Sequence, residues 1–107
     1  MSHLSTHVLD AVTGRPADGV PVTLTDAAGT ELATAHTDAD GRVAGLHDVA
    51  TTGVYRLRFD TAAHFAATGV TGCYPEVVIA FEVTDVDAKY HVPLLLSPYA
   101  YSTYRGS

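Results

Sequence analysis

Six of the 107 residues are histidines. An unperturbed imidazole has a pKa of about 6.5, so it can take and give protons near neutral pH, or hold a metal ion as the neutral ring. His3 and His7 are four residues apart, the spacing at which two imidazoles on a helix share a zinc ion. On a strand, the same spacing separates them by about 13 Å, too far for both to reach one ion at about 2 Å each. Their segment alternates, with Leu4, Thr6 and Val8 against His3, Ser5 and His7. It therefore reads as a strand, and no metal or other cofactor is assigned. A second alternation sets Val92, Leu94 and Leu96 against His91, Pro93 and Leu95. If Val8 and Val92 face a core, His7 and His91 both face outward. Were those strands neighbours, the pair could perform general acid–base chemistry. Otherwise they are ordinary surface histidines, and spacing alone favours the ordinary reading.

Arg42 follows the turn residues Asp38, Ala39, Asp40 and Gly41. A guanidinium there either clamps a flat, carbonyl-rich or anionic ligand with two parallel hydrogen bonds or is simply solvated. The chain ends Tyr101-Ser102-Thr103-Tyr104-Arg105-Gly106-Ser107. A frayed polar tail does not fit this end, because Tyr99, Tyr101 and Tyr104 favour burial. Cys73 has no neighbour that would lower its pKa and reads as a buried or half-buried structural thiol. As the one cysteine, it excludes an internal disulfide framework and a zinc site built on several thiolates.

The elements that must position these residues are mostly strands. Alternation and β-branched content predict strands at 4–8, 20–24, 31–37, around 42–44, and at 54–59, 77–83, 90–96 and 101–105. Turn residues fill 26–29 and 38–41. The alanine-rich stretch 61–69 breaks the period of two and reads as one short helix, with Thr61 as N-cap and Gly69 as its stop. Such a series implies an all-β antiparallel sandwich, one domain over residues 1–107. Twelve acidic against six basic residues give a net charge of −6, which argues against a nucleic-acid partner. The longest mid-chain apolar run, 77–81, is far short of the roughly 20 residues of a membrane helix. Residues 1–15 contain His3, His7 and Asp10 and no apolar signal core. A cytoplasmic protein is expected, with self-association as extra stabilisation for so small a core.

Several motifs carry a resemblance. His7-Val8-Leu9-Asp10, Gly14-Arg15-Pro16-Ala17 and Val20-Pro21-Val22 together resemble the N-terminal signature of the transthyretin-like family. Tyr90-His91-Val92-Pro93-Leu94-Leu95-Leu96-Ser97-Pro98-Tyr99 resembles its C-terminal signature. The ending Tyr104-Arg105-Gly106-Ser107 is similar to that of the family's 5-hydroxyisourate hydrolase branch. The hormone-carrier branch has lysine in place of His7 and threonine in place of His91, and lacks that ending. The resemblance implies a transthyretin-like sandwich of two four-stranded sheets with one short helix, assembled as a homotetramer, a dimer of dimers. Its active sites would lie in a channel between dimers, lined by the outward faces of the first and last two strands. The implied reaction opens the ring of 5-hydroxyisourate to 2-oxo-4-hydroxy-4-carboxy-5-ureidoimidazoline in urate degradation. His7, Arg42 and His91 would be catalytic. His7, Arg42, Tyr104, Arg105, Gly106 and Ser107 would bind substrate, the last three holding the tail against the site. No cofactor, metal, nucleic acid or membrane is implied. A transport module would share this fold without needing an acid–base pair, and a plain interaction sandwich would show neither turnover nor a channel.

Overall fold

The computed structural model describes residues 2–106. In chain order the elements are β1 (Ser2–Asp10), β2 (Arg15–Pro16), β3 (Pro21–Thr25), β4 (Glu31–His36), β5 (Arg42–Val49) and β6 (Gly53–Phe59). Helix α1 (Thr61–Thr68) follows, then β7 (Val77–Val83), β8 (Lys89–Ser97) and β9 (Ala100–Thr103). One sheet runs β2-β1-β8-β9, with β5 also on β1, and the other runs β4-β3-β6-β7. The two-residue β2 and the longer β5 occupy successive stretches of the same β1 edge. The first sheet is thus five-stranded by count and four strands wide at each level.

Period-two alternation builds the core. β6 buries Tyr55, Leu57 and Phe59 and leaves Arg56 and Arg58 outside. Leu4 and Val8 of β1, Val22 and Leu24 of β3, and Val92, Leu94 and Leu96 of β8 meet them in one continuous apolar cluster. Each fully buried side chain of this size contributes about 1.5–3 kcal/mol relative to exposure. Thr6 is also buried, and its hydroxyl donates to the Val92 carbonyl at 2.7 Å. That bond offsets the cost of burying a polar group and ties β1 to β8.

The β1–β8 pair is parallel, so the sandwich is not antiparallel throughout as the alternation alone suggested. A parallel pair needs a long crossover instead of a hairpin, and here the whole second sheet lies between the two strands in sequence. The helix also corrects one expectation. Asp60, not Thr61, is the N-cap, its Oδ1 accepting from the Ala63 amide at 3.1 Å. Thr61 is buried as the first helical residue and donates to the Tyr74 carbonyl at 2.6 Å. Gly69 ends the helix with φ 69°, as its left-handed freedom allows. Cys73 is exposed, not buried. Its amide is tied to the Pro98 carbonyl at 2.7 Å, which anchors the loop by its backbone and leaves the thiol outside. Among the described residues, no helix is long and apolar enough to cross a membrane.

Candidate active site

Strand pairing brings three of the sequence-selected residues together on the outer face of the first sheet. His7 of β1 sits directly opposite Arg42 of β5 in an antiparallel pair. On the other edge of β1, Ser5 sits opposite His91 of β8, and His7 opposite Pro93. His7 and His91 are therefore same-face neighbours two residues out of step on adjacent strands, a diagonal of about 7–8 Å. Val8 and Val92 point into the core.

Local geometry fixes Arg42 at the start of β5. Asp38 Oδ1 accepts from the amides of Asp40 at 2.9 Å and Arg42 at 3.0 Å. This closes a tight turn of the kind aspartate favours. Gly41 has φ 74°, and a Cβ there would run into the Val8 carbonyl. The same glycine's carbonyl accepts from the Val8 amide at 2.7 Å. Only glycine lets the turn approach β1 this closely, and that approach puts the next residue, Arg42, beside His7.

A bulge opens the space next to this cluster. Thr6 pairs with Val43, but Leu4 pairs with His47, so three residues of β5, Ala44, Gly45 and Leu46, stand against Ser5 alone. Extra residues bend a strand away from its partner, and Gly45, with φ 61°, supplies the left-handed step. The result is a cavity of about 300 Å³ whose walls include His3, Ser5, Arg42, Ala44, Lys89 and His91. His3 Nδ1 lies 3.0 Å from Asp48 Oδ1, an exposed contact of small energetic weight.

His91 is the most constrained of the three. Its Nδ1 lies 2.8 Å from Ser5 Oγ. The Gly106 amide donates to the His91 carbonyl at 2.8 Å, extending the β8–β9 pairing by one isolated bridge. Burial, then the positive field of Arg42 and the proximity of His7, push the His91 pKa down, against a smaller opposing pull from the Ser5 main chain. A ring shifted that way is neutral at pH 7, with one nitrogen free to accept a proton.

The tail residues divide. Gly106 reaches the cluster and packs on the His91 ring. Arg105 does not: its guanidinium lies 4.3 Å from the centroid of Tyr90 and donates to the Lys89 carbonyl at 3.1 Å. Tyr90 is a core residue, so Arg105 faces away from the cavity and anchors the tail. Tyr104 is 59% exposed and does not line the cavity within one chain. Ser107 lies outside the described residues. Tyr99 and Tyr101 are exposed as well, although their size suggested burial. Ser5 is the residue that sequence reasoning passed over. Alternation already put it on the face of His7, but its partner depended on the parallel pairing of β1 with β8.

A two-sheet sandwich carrying an arginine and two histidines on the outer face of one sheet matches a known class. The family model described as HIUase/Transthyretin matches residues 4–106, and the chain belongs to that family. The 5-hydroxyisourate hydrolase of Caulobacter vibrioides is 50% identical over 117 residues, covering 100% of each chain. The solved structure of Klebsiella pneumoniae 5-hydroxyisourate hydrolase has a TM-score of 0.92 and 41% identity, covering 100% of both chains. Sea bream transthyretin in complex with thyroxine has a TM-score of 0.89 and 34% identity, covering 96% of this chain and 93% of that one.

Proposed function

We propose that this protein is a 5-hydroxyisourate hydrolase, opening the ring to give 2-oxo-4-hydroxy-4-carboxy-5-ureidoimidazoline in urate degradation. The observation that carries the reading is that Arg42 and His91 line one cavity while His7 stands opposite Arg42 and two residues out of step with His91 on the same face, in a chain so similar to named hydrolases. A carrier of the same fold has no use for a neutral imidazole beside a cation.

The chemistry follows from the placement. His91, neutral and hydrogen-bonded at Nδ1, takes a proton from water through Nε2. The water oxygen adds to a ring carbonyl carbon, and the electron pair moves onto the carbonyl oxygen. Arg42 meets that developing negative charge with a forked donor. When the tetrahedral carbon collapses, the C–N bond breaks and the leaving nitrogen takes a proton from the imidazolium or from His7. Gly106 holds the His91 ring by contact, and Arg105 holds Gly106 in place through Tyr90 and Lys89. Tyr104, exposed within one chain, completes the substrate's enclosure in the assembled protein.

The assembly in this reading is a homotetramer, a dimer of dimers with the cavity facing a central channel, and one chain forms one domain. Support comes from β9, a sheet-edge strand whose residues are all exposed and which presents Tyr101 beside Tyr74 in an edge-on contact at 5.2 Å. An open edge with exposed aromatic residues is a template for pairing with another chain. A cytoplasmic setting fits the exposed, unpaired thiol of Cys73, which is compatible with a reducing compartment. The test generates 5-hydroxyisourate with urate oxidase and times the decay of its ultraviolet absorbance. Faster decay with the protein supports the hydrolase; decay at the buffer rate removes it and leaves the carrier reading.

A further inference from the structure

We propose that Ser5 is a positioning residue for the hydrolysis: its hydroxyl accepts the His91 Nδ1 proton and so leaves Nε2 as the proton-accepting nitrogen at the cavity. The proposal rests on the reading of His91 as the base and deepens it.

Ser5 and His91 are direct partners across the parallel β1–β8 pair, and Oγ lies 2.8 Å from Nδ1. No other side-chain hydrogen bond of Ser5 appears among the described residues, so the hydroxyl is committed to this ring. A neutral imidazole has one N–H and one lone pair, and the partner of one nitrogen decides what the other can do. If the hydroxyl donated to Nδ1, Nε2 would carry the proton and could not take one from water. If it accepts, Nε2 is the base. The Ser5 main chain raises the ring's proton affinity, as an acceptor does.

Ring orientation is held from the opposite side. Gly106 packs so near Cδ2 that even a methyl group could not be inserted. Turning the ring over would exchange Nδ1 with Cδ2, put a carbon at the Ser5 hydroxyl and lose the bond between them. Ser5 and Gly106 thus fix different things, the tautomer and the plane. The β5 bulge matters here too, because it uncovers Ser5 and lets the cavity reach His91.

The experiment compares the full-length wild type with Ser5→Ala and Ser5→Thr. Nitrogen chemical shifts of the 15N-labelled His91 ring at pH 8 report the tautomer whether or not the protein turns over. The wild type should show Nδ1 protonated and Nε2 bare. Ser5→Ala should raise the share protonated at Nε2 and lower kcat at least about tenfold with KM within about twofold, as expected when a base is held in the wrong tautomer. Ser5→Thr, which keeps a hydroxyl on the same carbon, should restore both. A wild-type ring protonated at Nε2 overturns the proposal without any variant. So does a Ser5→Ala protein with unchanged tautomer or unchanged kcat. A wild type that does not accelerate 5-hydroxyisourate decay defeats the hydrolase reading instead, while the nitrogen shifts still test the hold of Ser5 on the ring.

Discussion

Gly106 and the His91 imidazole are in direct contact: a Cβ added to Gly106 would lie 2.5 Å from Cδ2 of the ring. The C-terminal tail is therefore one wall of the histidine's seat, and glycine is required there for want of space and not for backbone freedom. Gly106→Ala must either push the ring off Ser5 or lift the tail from β8. We expect kcat to fall at least about tenfold, because acid–base catalysis contributes about 10²–10⁴-fold only when the groups are in reach. The thermal midpoint should move by only a few degrees, since Gly106 is outside the core. Full activity in Gly106→Ala would show that the contact does not position the ring.

His91 carries the pH dependence. Its pKa is lowered by burial first, then by Arg42 and His7. Turnover should rise with pH through a value below 6.5 and level off above it, because only the neutral ring accepts a proton. Removing the cation in Arg42→Ala should move the His91 titration, read by NMR, back toward higher pH. A titration that stays put or moves lower would contradict the stated field. Stability follows the same sign. A group whose folded pKa is depressed binds more protons when unfolded, so stability is lost as pH falls below about 6.5.

Arg42 should be needed as a fork and not only as a charge. Arg42→Ala is expected to cost about 10²–10³ in kcat, the usual loss when a donor to a developing oxyanion is removed. Arg42→Lys should recover only part of it, because an ammonium cannot offer two parallel donors. Steady-state kinetics with enzymatically generated substrate measure both. Lysine performing as well as arginine would reduce the role of residue 42 to electrostatics.

Much of the site was legible from alternation and turn chemistry. Leu4, Thr6 and Val8 facing inward put His7 outward, and the Asp38–Gly41 turn put Arg42 at a strand start. Alternation has no knowledge of strand neighbours, so it left His7 and His91 as separate surface histidines until β1 and β8 were seen to pair in parallel. The short strand read around 42–44 is really Arg42–Val49, because Gly45 looks like a strand end and is instead the bulge that makes the cavity. Arg105 looked like a substrate ligand beside Gly106. Residue 105 lies past the end of β9, and there the aromatic face of Tyr90 receives the guanidinium.

The far end of β1 has its own anchor. Asp10 Oδ1 accepts from the amides of Val12 at 2.9 Å and Thr13 at 3.2 Å, and Oδ2 lies 3.1 Å from Nε2 of the buried His64 in α1. Burial raises the Asp10 pKa, but the bonds from His64, Thr13 and Val12 outweigh it and the net shift is downward. Asp10→Ala leaves those donors and a buried imidazole unsatisfied, and should lower unfolding free energy by about 1–3 kcal/mol in urea titrations at pH 7. The sign with pH is fixed by the depressed value. The Asp10 contribution is present above its ordinary pKa of 3.8 and fades as pH falls through the folded one. A variant as stable as wild type at pH 7 would show that the anchor is idle.

The most direct test of the central claim compares wild type with His91→Asn on 5-hydroxyisourate freshly produced by urate oxidase. Asparagine keeps a polar group of similar reach but cannot accept a proton. The account predicts rapid decay of the ultraviolet signal with wild type and a kcat lower by about 10² or more with the variant, both folded alike by circular dichroism. Equal turnover by the two proteins would contradict it.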